Sequence, residues 1–128
     1  MRLLLDTHAF LWWLDGDRRL SSRGRRLIAD STAEVFVSAA SAWEISIKAA
    51  AGKLPGALDV AADIPGCLES QGFRPLDITI GHAQRAGSLP LRHRDPFDRM
   101  LVAQALAEEL PLLSNDPAFD AYAVQRVW

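Results

Sequence analysis

Four acidic residues, Asp6, Glu44, Asp98 and Asp116, close or follow apolar segments in ways that could gather them at one site. Asp6 ends the run Leu3-Leu4-Leu5, and Asp116 follows Leu112-Leu113-Ser114 after one intervening residue. Glu44 falls in the first turns of the helix after Val35-Phe36-Val37, and Asp98 in the first turn of a helix opened by Asp95-Pro96. Carboxylates brought together repel and raise one another's pKa. A hard divalent cation with oxygen ligands relieves that repulsion. Mg2+ fits, because it keeps several waters and takes few carboxylates, and Mn2+ has a similar taste in ligands. An ion so held orients water, lowers its pKa and stabilises a leaving oxygen, which suits phosphodiester hydrolysis.

Other chemistries lack their residues. Cys67 is the single cysteine, so no cysteine pair exists, and it reads as a small core hydrophobe. There is no glycine-rich phosphate loop and no Ser-His-Asp arrangement. His8, His82 and His93 are scattered without zinc-ligand neighbours at motif spacing, and read as surface residues or supports of a site rather than ligands. Each acid also has an ordinary structural use. Asp6, Asp95 and Asp116 are favoured helix N-caps, and Asp98 stands in a first turn where the macrodipole favours carboxylates. Ser41 and Glu44 have capping-box spacing, and Glu44 with Lys48 forms an i, i+4 pair.

The elements that must position these acids alternate. Leu3 to Leu5 reads as a strand buried on both faces. Helical spacing starts at Thr7, with Ala9, Phe10, Trp13 and Leu14 on one face. A short basic helix capped by Ser21 or Ser22 follows, then a strand at Val35 to Val37 and a strong helix ending near Gly52. Ala57 to Ser70 has helical spacing that Pro65-Gly66 bends or breaks. Phe73 to Leu76 is a third strand, Thr79 to Ala86 a short helix and Gly87 to Arg94 a loop. A helix from Pro96 through Leu110 leads to the fourth strand, Leu112 to Ser114. Asp116-Pro117 starts a helical turn, and Val124 to Val127 is a terminal strand. This order predicts a parallel sheet with helices on both faces. Strand ends in such a sheet point one way, so Asp6, Glu44 and Asp116 are expected at one edge, where open α/β sheets place their chemistry. Asp98 precedes its strand, so it depends on the loop Gly87 to Arg94 returning to that edge.

The bulk numbers allow this. The chain has 128 residues, 49% of them hydrophobic and 23% charged, as in one ordinary globular domain. The net charge of −2 does not advertise nucleic-acid binding, yet arginines crowd Arg18 to Arg26 and Arg92 to Arg99. No run approaches the roughly 20 apolar residues of a membrane span. The start reads as a strand rather than a signal peptide. One cysteine fits a reducing cytoplasm.

The segments LLLDTHAFLWWL, SAASAWEISIKAAAGKL, HRDPFDRMLVAQA and LLSNDPAFDAYAV follow one another from Leu3 to Val124, so the likeness they carry spans almost the entire chain. Together they resemble bacterial PIN-domain ribonucleases of the VapC toxin type. The resemblance implies one PIN-like domain over residues 1–128, an α/β/α sandwich of three layers around a mainly parallel sheet of about five strands. It implies a cytoplasmic, Mg2+-dependent endoribonuclease, with Mn2+ able to substitute, made as the toxin of a type II toxin–antitoxin pair. The family's acidic site falls on Asp6, Glu44, Asp98 and Asp116. Asp6 and Asp98 match the most direct metal ligands, while Glu44 and Asp116 complete the pocket and help position water or a second ion. Thr7, Ser41 and Ser114 match small hydroxyl positions that orient carboxylates. Asp95 and Arg99 also match, and read as a cap and a structural ion pair. The implied partners are RNA, a second copy of the chain, and a cognate antitoxin that lays an apolar segment in a groove and directs a basic side chain at the acids. Trp12, off the face shared by Phe10, Trp13 and Leu14, is the aromatic expected to be exposed for a partner. The Arg18 to Arg26 segment could track phosphates or be a solvated helix face.

Two other readings are open to the residues. An aspartate-nucleophile phosphohydrolase also places an aspartate after its first strand, but it needs a second two positions later, where this chain has His8. A non-catalytic module that binds an antitoxin or another protein would leave the acids as caps.

Overall fold

Leu3, Leu4 and Leu5 are all fully buried, and they alternate between two separate cores. Leu3 and Leu5 join Phe10, Val35, Val37, Ile45 and Phe73 on one face of a sheet. Leu4 joins Phe36, Leu101, Val102, Leu112 and Phe119 on the other. A strand covered on both faces must be apolar at every position, which is what the three leucines supply. Burying each contributes about 1.5–3 kcal/mol.

The computed structural model describes residues 1–128. Strand β1 (Arg2–Leu5) is followed by helices α1 (Thr7–Asp15) and α2 (Ser22–Ala29), then β2 (Glu34–Ser38) and α3 (Ala39–Ala50). A short 3-10 turn leads to α4 (Leu58–Ala62), α5 (Ile64–Gln71) and β3 (Arg74–Leu76). Helices α6 (Ile80–Ser88) and α7 (Pro96–Glu108) precede β4 (Leu112–Leu113), a 3-10 helix at Pro117–Ala121 and β5 (Arg126–Val127). The sheet order is β3-β2-β1-β4-β5, and every pairing is parallel. This is the expected α/β sandwich. Strands β1 and β4 lie side by side at its centre, with Leu5 opposite Leu113, so the residues after them emerge together at one sheet edge. No helix is long and apolar enough to cross a membrane.

Some expectations shift. The helical stretch over Ala57 to Ser70 breaks at Asp63, before the Pro65-Gly66 pair. Asp63 accepts the Gly66 N–H and caps α5, so the proline begins the second helix instead of ending the first. The terminal strands shrink to Leu112–Leu113 and Arg126–Val127. Gly24 has its place in α2: a Cβ there would stand 3.0 Å from the Ser21 Oγ that caps the helix and 3.2 Å from Leu20.

Candidate active site

Asp6 leaves the carboxyl end of β1 and caps α1, its Oδ1 accepting the Ala9 N–H at 2.7 Å. It is 6% exposed. Burial pushes its pKa up, with the Asp116 charge adding to the rise; the Ser114 hydroxyl, the Ala9 N–H and His8 oppose it. The cap reading and the site reading are therefore both compatible with its place.

Glu44 is 5% exposed on α3, and both of its oxygens are engaged. Thr7 Oγ1 lies 2.7 Å from Oε1, and Lys48 Nζ lies 2.6 Å from Oε2. Thr7 Oγ1 is also 2.9 Å from Ser41 Oγ. A hydroxyl has one proton, so Thr7 gives it to the carboxylate and receives that of Ser41. The expected Glu44–Lys48 pair is present. The expected capping box is not: Ser38 caps α3 by accepting the Ala40 N–H, and Ser41 is a buried helical residue facing Thr7. The helix begins three residues earlier than a Ser41 cap would have it, because β2 runs straight into α3.

Asp98 stands in the first turn of α7, which Asp95 caps by accepting the N–H groups of Phe97 and Asp98. Its Oδ2 lies 2.8 Å from His93 Nε2. Partial burial and then the neighbouring Asp95 charge push its pKa up to about 6, against the pull of His93. Asp116 follows β4 and caps the 3-10 helix through the Ala118 N–H, while its own N–H donates to Ser114 Oγ at 3.0 Å. Ser114 is completely buried.

All four acids line one pocket of about 260 Å³, together with Thr7, Lys48, His93 and Asp95. Ser41 and Ser114 sit behind it, touching Thr7 and Asp116. Lys48 pairs with Glu44, but no lysine or arginine stands within ion-pair distance of Asp6, Asp98 or Asp116. Three carboxylates without a lysine or arginine beside them, two of them (Asp6 and Asp98) at raised pKa, offer oxygen ligands that fit a divalent cation. The largest cavity, about 660 Å³, lies elsewhere, between α3, α4 and α5, and holds none of the four acids.

Asp98 reaches the pocket through the loop after α6, and Arg99 makes that possible. The expected ion pair of Arg99 is absent. Its guanidinium instead donates to the carbonyl oxygens of Ala86 and Leu89 at 2.9 Å each, of Pro90 at 3.1 Å and of His93 at 3.3 Å. A loop without a ladder of its own leaves carbonyls unpaired, and five fixed donors satisfy several of them at once. Tyr122 completes the clamp, donating to Pro90 O at 2.9 Å and accepting the His93 N–H at 3.0 Å.

His93 and Lys48 are pocket residues that the pattern of carboxylates does not reveal. Lys48 was legible through its spacing from Glu44. His93 had no periodic signal, since it lies in a loop five residues before Asp98. His82 is buried, and its Nδ1 accepts the Thr79 N–H to cap α6. Trp12 is not the exposed aromatic. It stacks on His8, meets Trp128 edge-on at 6.0 Å and carries the Arg19 guanidinium 5.0 Å from its ring centroid. Trp43 is 63% exposed instead. In the arginine segment, Arg19 pairs with Asp17 at 2.7 Å and Arg25 donates to the Asp17 carbonyl; Arg18, Arg23 and Arg26 remain exposed.

The fold and this acidic pocket define a class. The PIN domain family model matches residues 3–125, and the chain belongs to that family, which is one of nucleases. Among solved structures, VapBC2 from Rickettsia felis, bound to a fragment of its promoter DNA, matches with a TM-score of 0.74 at 16% identity over 99% of this chain and 98% of that one. A toxin–antitoxin complex from Klebsiella pneumoniae matches with a TM-score of 0.69 at 17% identity over 98% of this chain and 96% of that one. No curated protein matches the sequence.

Proposed function

We propose that residues 1–128 form one catalytic domain, a divalent-metal-dependent endoribonuclease that is the toxin of a type II toxin–antitoxin pair. The observation that carries the reading is the meeting of Asp6, Glu44, Asp98 and Asp116 in one pocket of a PIN-family chain. The toxin–antitoxin assignment draws on the two matched complexes, whose fold this chain shares along nearly its whole length.

In this reading Asp6, Asp98 and Asp116 hold Mg2+ or Mn2+. The ion, when bound, supplies a water of lowered pKa and charge neutralisation at the phosphate. Glu44 has a different part. Thr7 fixes one of its oxygens and Lys48 the other, so it orients water and does not surrender both oxygens to the ion. Ser41 and Ser114 act one step back, by holding Thr7 and the backbone of Asp116. A protein antitoxin and a second copy of the chain are partners in the same reading.

The test is cleavage of a broad RNA panel by protein stripped of any antitoxin, with Mg2+, with Mn2+ and with chelator. Cleavage by wild type that is lost in Asp6→Asn and in Asp98→Asn, with both variants folded, is the expected result. Protein that binds the ion and cuts no RNA overturns it.

A further inference from the structure

We propose that His93 is a direct ligand of the ion through Nε2, so that the pocket is a mixed nitrogen–oxygen site preferring Mn2+ to Mg2+. This rests on the metal-dependent reading above and concerns which atoms hold the ion.

The ligand atoms of His93, Asp98 and Asp116 all lie within 4.8 Å of one another. His93 Nε2 and Asp98 Oδ2 are 2.8 Å apart. Neighbouring ligands on an octahedral ion with bonds of about 2.1 Å lie about 3 Å apart. The pair is thus already at the spacing of two adjacent ligands. Glu44 offers the least, with Thr7 on one oxygen and Lys48 on the other, while Asp6 and Asp116 each have one oxygen on a helix-capping N–H.

His93 is held through its backbone on two sides and through its ring on a third. Arg99 and Tyr122 fix the backbone of His93 from α7 and from the end of the 3-10 helix. The Phe119 ring packs edge-on against the imidazole, with centroids 6.0 Å apart. The clamp that carries the loop and Asp98 to the pocket thus also fixes where the imidazole stands. A loop ligand must be preorganised, and Arg99 and Tyr122 do that.

Donor chemistry then sets the ion. Mg2+ favours oxygen ligands and gives up its waters reluctantly. First-row transition ions accept imidazole readily, and Mn2+ also accepts the two carboxylates. The bland alternative is that His93 merely donates to Asp98 and orients it.

The deciding experiment uses the full chain with Mn2+ or Mg2+ alone. Titration calorimetry of wild type is expected to give Mn2+ binding at least about tenfold tighter than Mg2+, and His93→Ala is expected to remove most of that preference. Electron spin-echo spectroscopy of the Mn2+ complex reads the bond itself. A directly coordinated nitrogen should modulate the wild-type signal and be missing from His93→Ala. The wild-type spectrum alone tests the proposal if the variant does not fold. Tight Mn2+ binding with no nitrogen modulation makes His93 a positioning residue and sinks the ligand assignment while the metal reading stands. Failure of wild type to bind either ion removes the metal reading itself, and this inference with it.

Discussion

Asp6 and Glu44 lie deep in the pocket, and the protein has partners for them: a helix N-terminus for Asp6, and Thr7 with Lys48 for Glu44. Asp98 and Asp116 lie nearer solvent, and Asp98 has a histidine and a second aspartate as its company. The inner pair is made rigid by hydrogen bonds that exist without an ion. In the outer pair Asp116 also caps a helix through the Ala118 N–H, and neither acid has a lysine or arginine beside it. The difference teaches that Glu44 is satisfied without an ion, whereas, in the proposed function, the acids left without a lysine or arginine are the ones that hold it.

Removing an outer acid should have the largest effect. Asp98→Asn keeps the size of the side chain and should lower RNA cleavage by more than about a hundredfold, since even residues behind metal ligands are worth 10- to 100-fold. Single-turnover cleavage beside a thermal melt reads this; near-wild-type cleavage would mean the outer acids are ornaments. Removing the inner support should act on stability as well. Thr7→Val leaves Glu44 Oε1 buried without its donor, which should cost about 1–3 kcal/mol in denaturant unfolding, and Thr7→Ser should recover most of it. Equal stability of the valine and serine forms would contradict the assigned role of the hydroxyl.

The contrast also predicts a pH dependence. The folded pKa of Asp98 is raised from an ordinary 3.8 to about 6, and that of Asp6 is raised too. Between those limits the folded chain holds more protons than the unfolded one, so stability without metal should fall as pH rises from about 4 to about 6. Asp17, Asp30 and Asp120 have lowered values, so their opposing gain is mostly made below this window and is complete in its lower part, leaving the fall to dominate toward pH 6. Melting in chelator across pH 4 to 7 should show the fall, Asp98→Asn should flatten it, and Mg2+ or Mn2+ should reduce it. A rise over that window in wild type but not in Asp98→Asn would reverse the sign argued here. The smallest effect concerns the clamp. Tyr122→Phe removes the hydroxyl that bridges Pro90 and His93 and should cost about 1 kcal/mol. Its cleavage should fall less than that of Asp98→Asn.

Much of this was legible in the residues. Three consecutive leucines demanded a strand covered on both faces, and the alternating elements demanded a parallel sheet. Asp6 and Asp116 could be placed at one edge because parallel strands end together. The i, i+4 spacing gave the Glu44–Lys48 pair. Helix phase was harder. Ser41 looked like a cap because its distance from Glu44 fits one, but the cap belongs to Ser38 and Ser41 faces Thr7 from inside the helix. Trp12 looked exposed because it leaves the face of α1, and Trp128, distant in sequence, came back to pack against it.

Periodicity and strand direction follow from local rules, so the sequence by itself determined the layers, the sheet and the edge to which Asp6, Glu44 and Asp116 belong. It did not determine how Asp98 joins them. That depends on a loop with no period, whose path is set by Arg99 and Tyr122 donating to its backbone from other elements. Only the tertiary structure brought His93 against Asp98, and only it decided which carboxylate oxygens are already occupied. Those outcomes come from contacts between distant segments, and distances of that kind are not written in spacing along the chain.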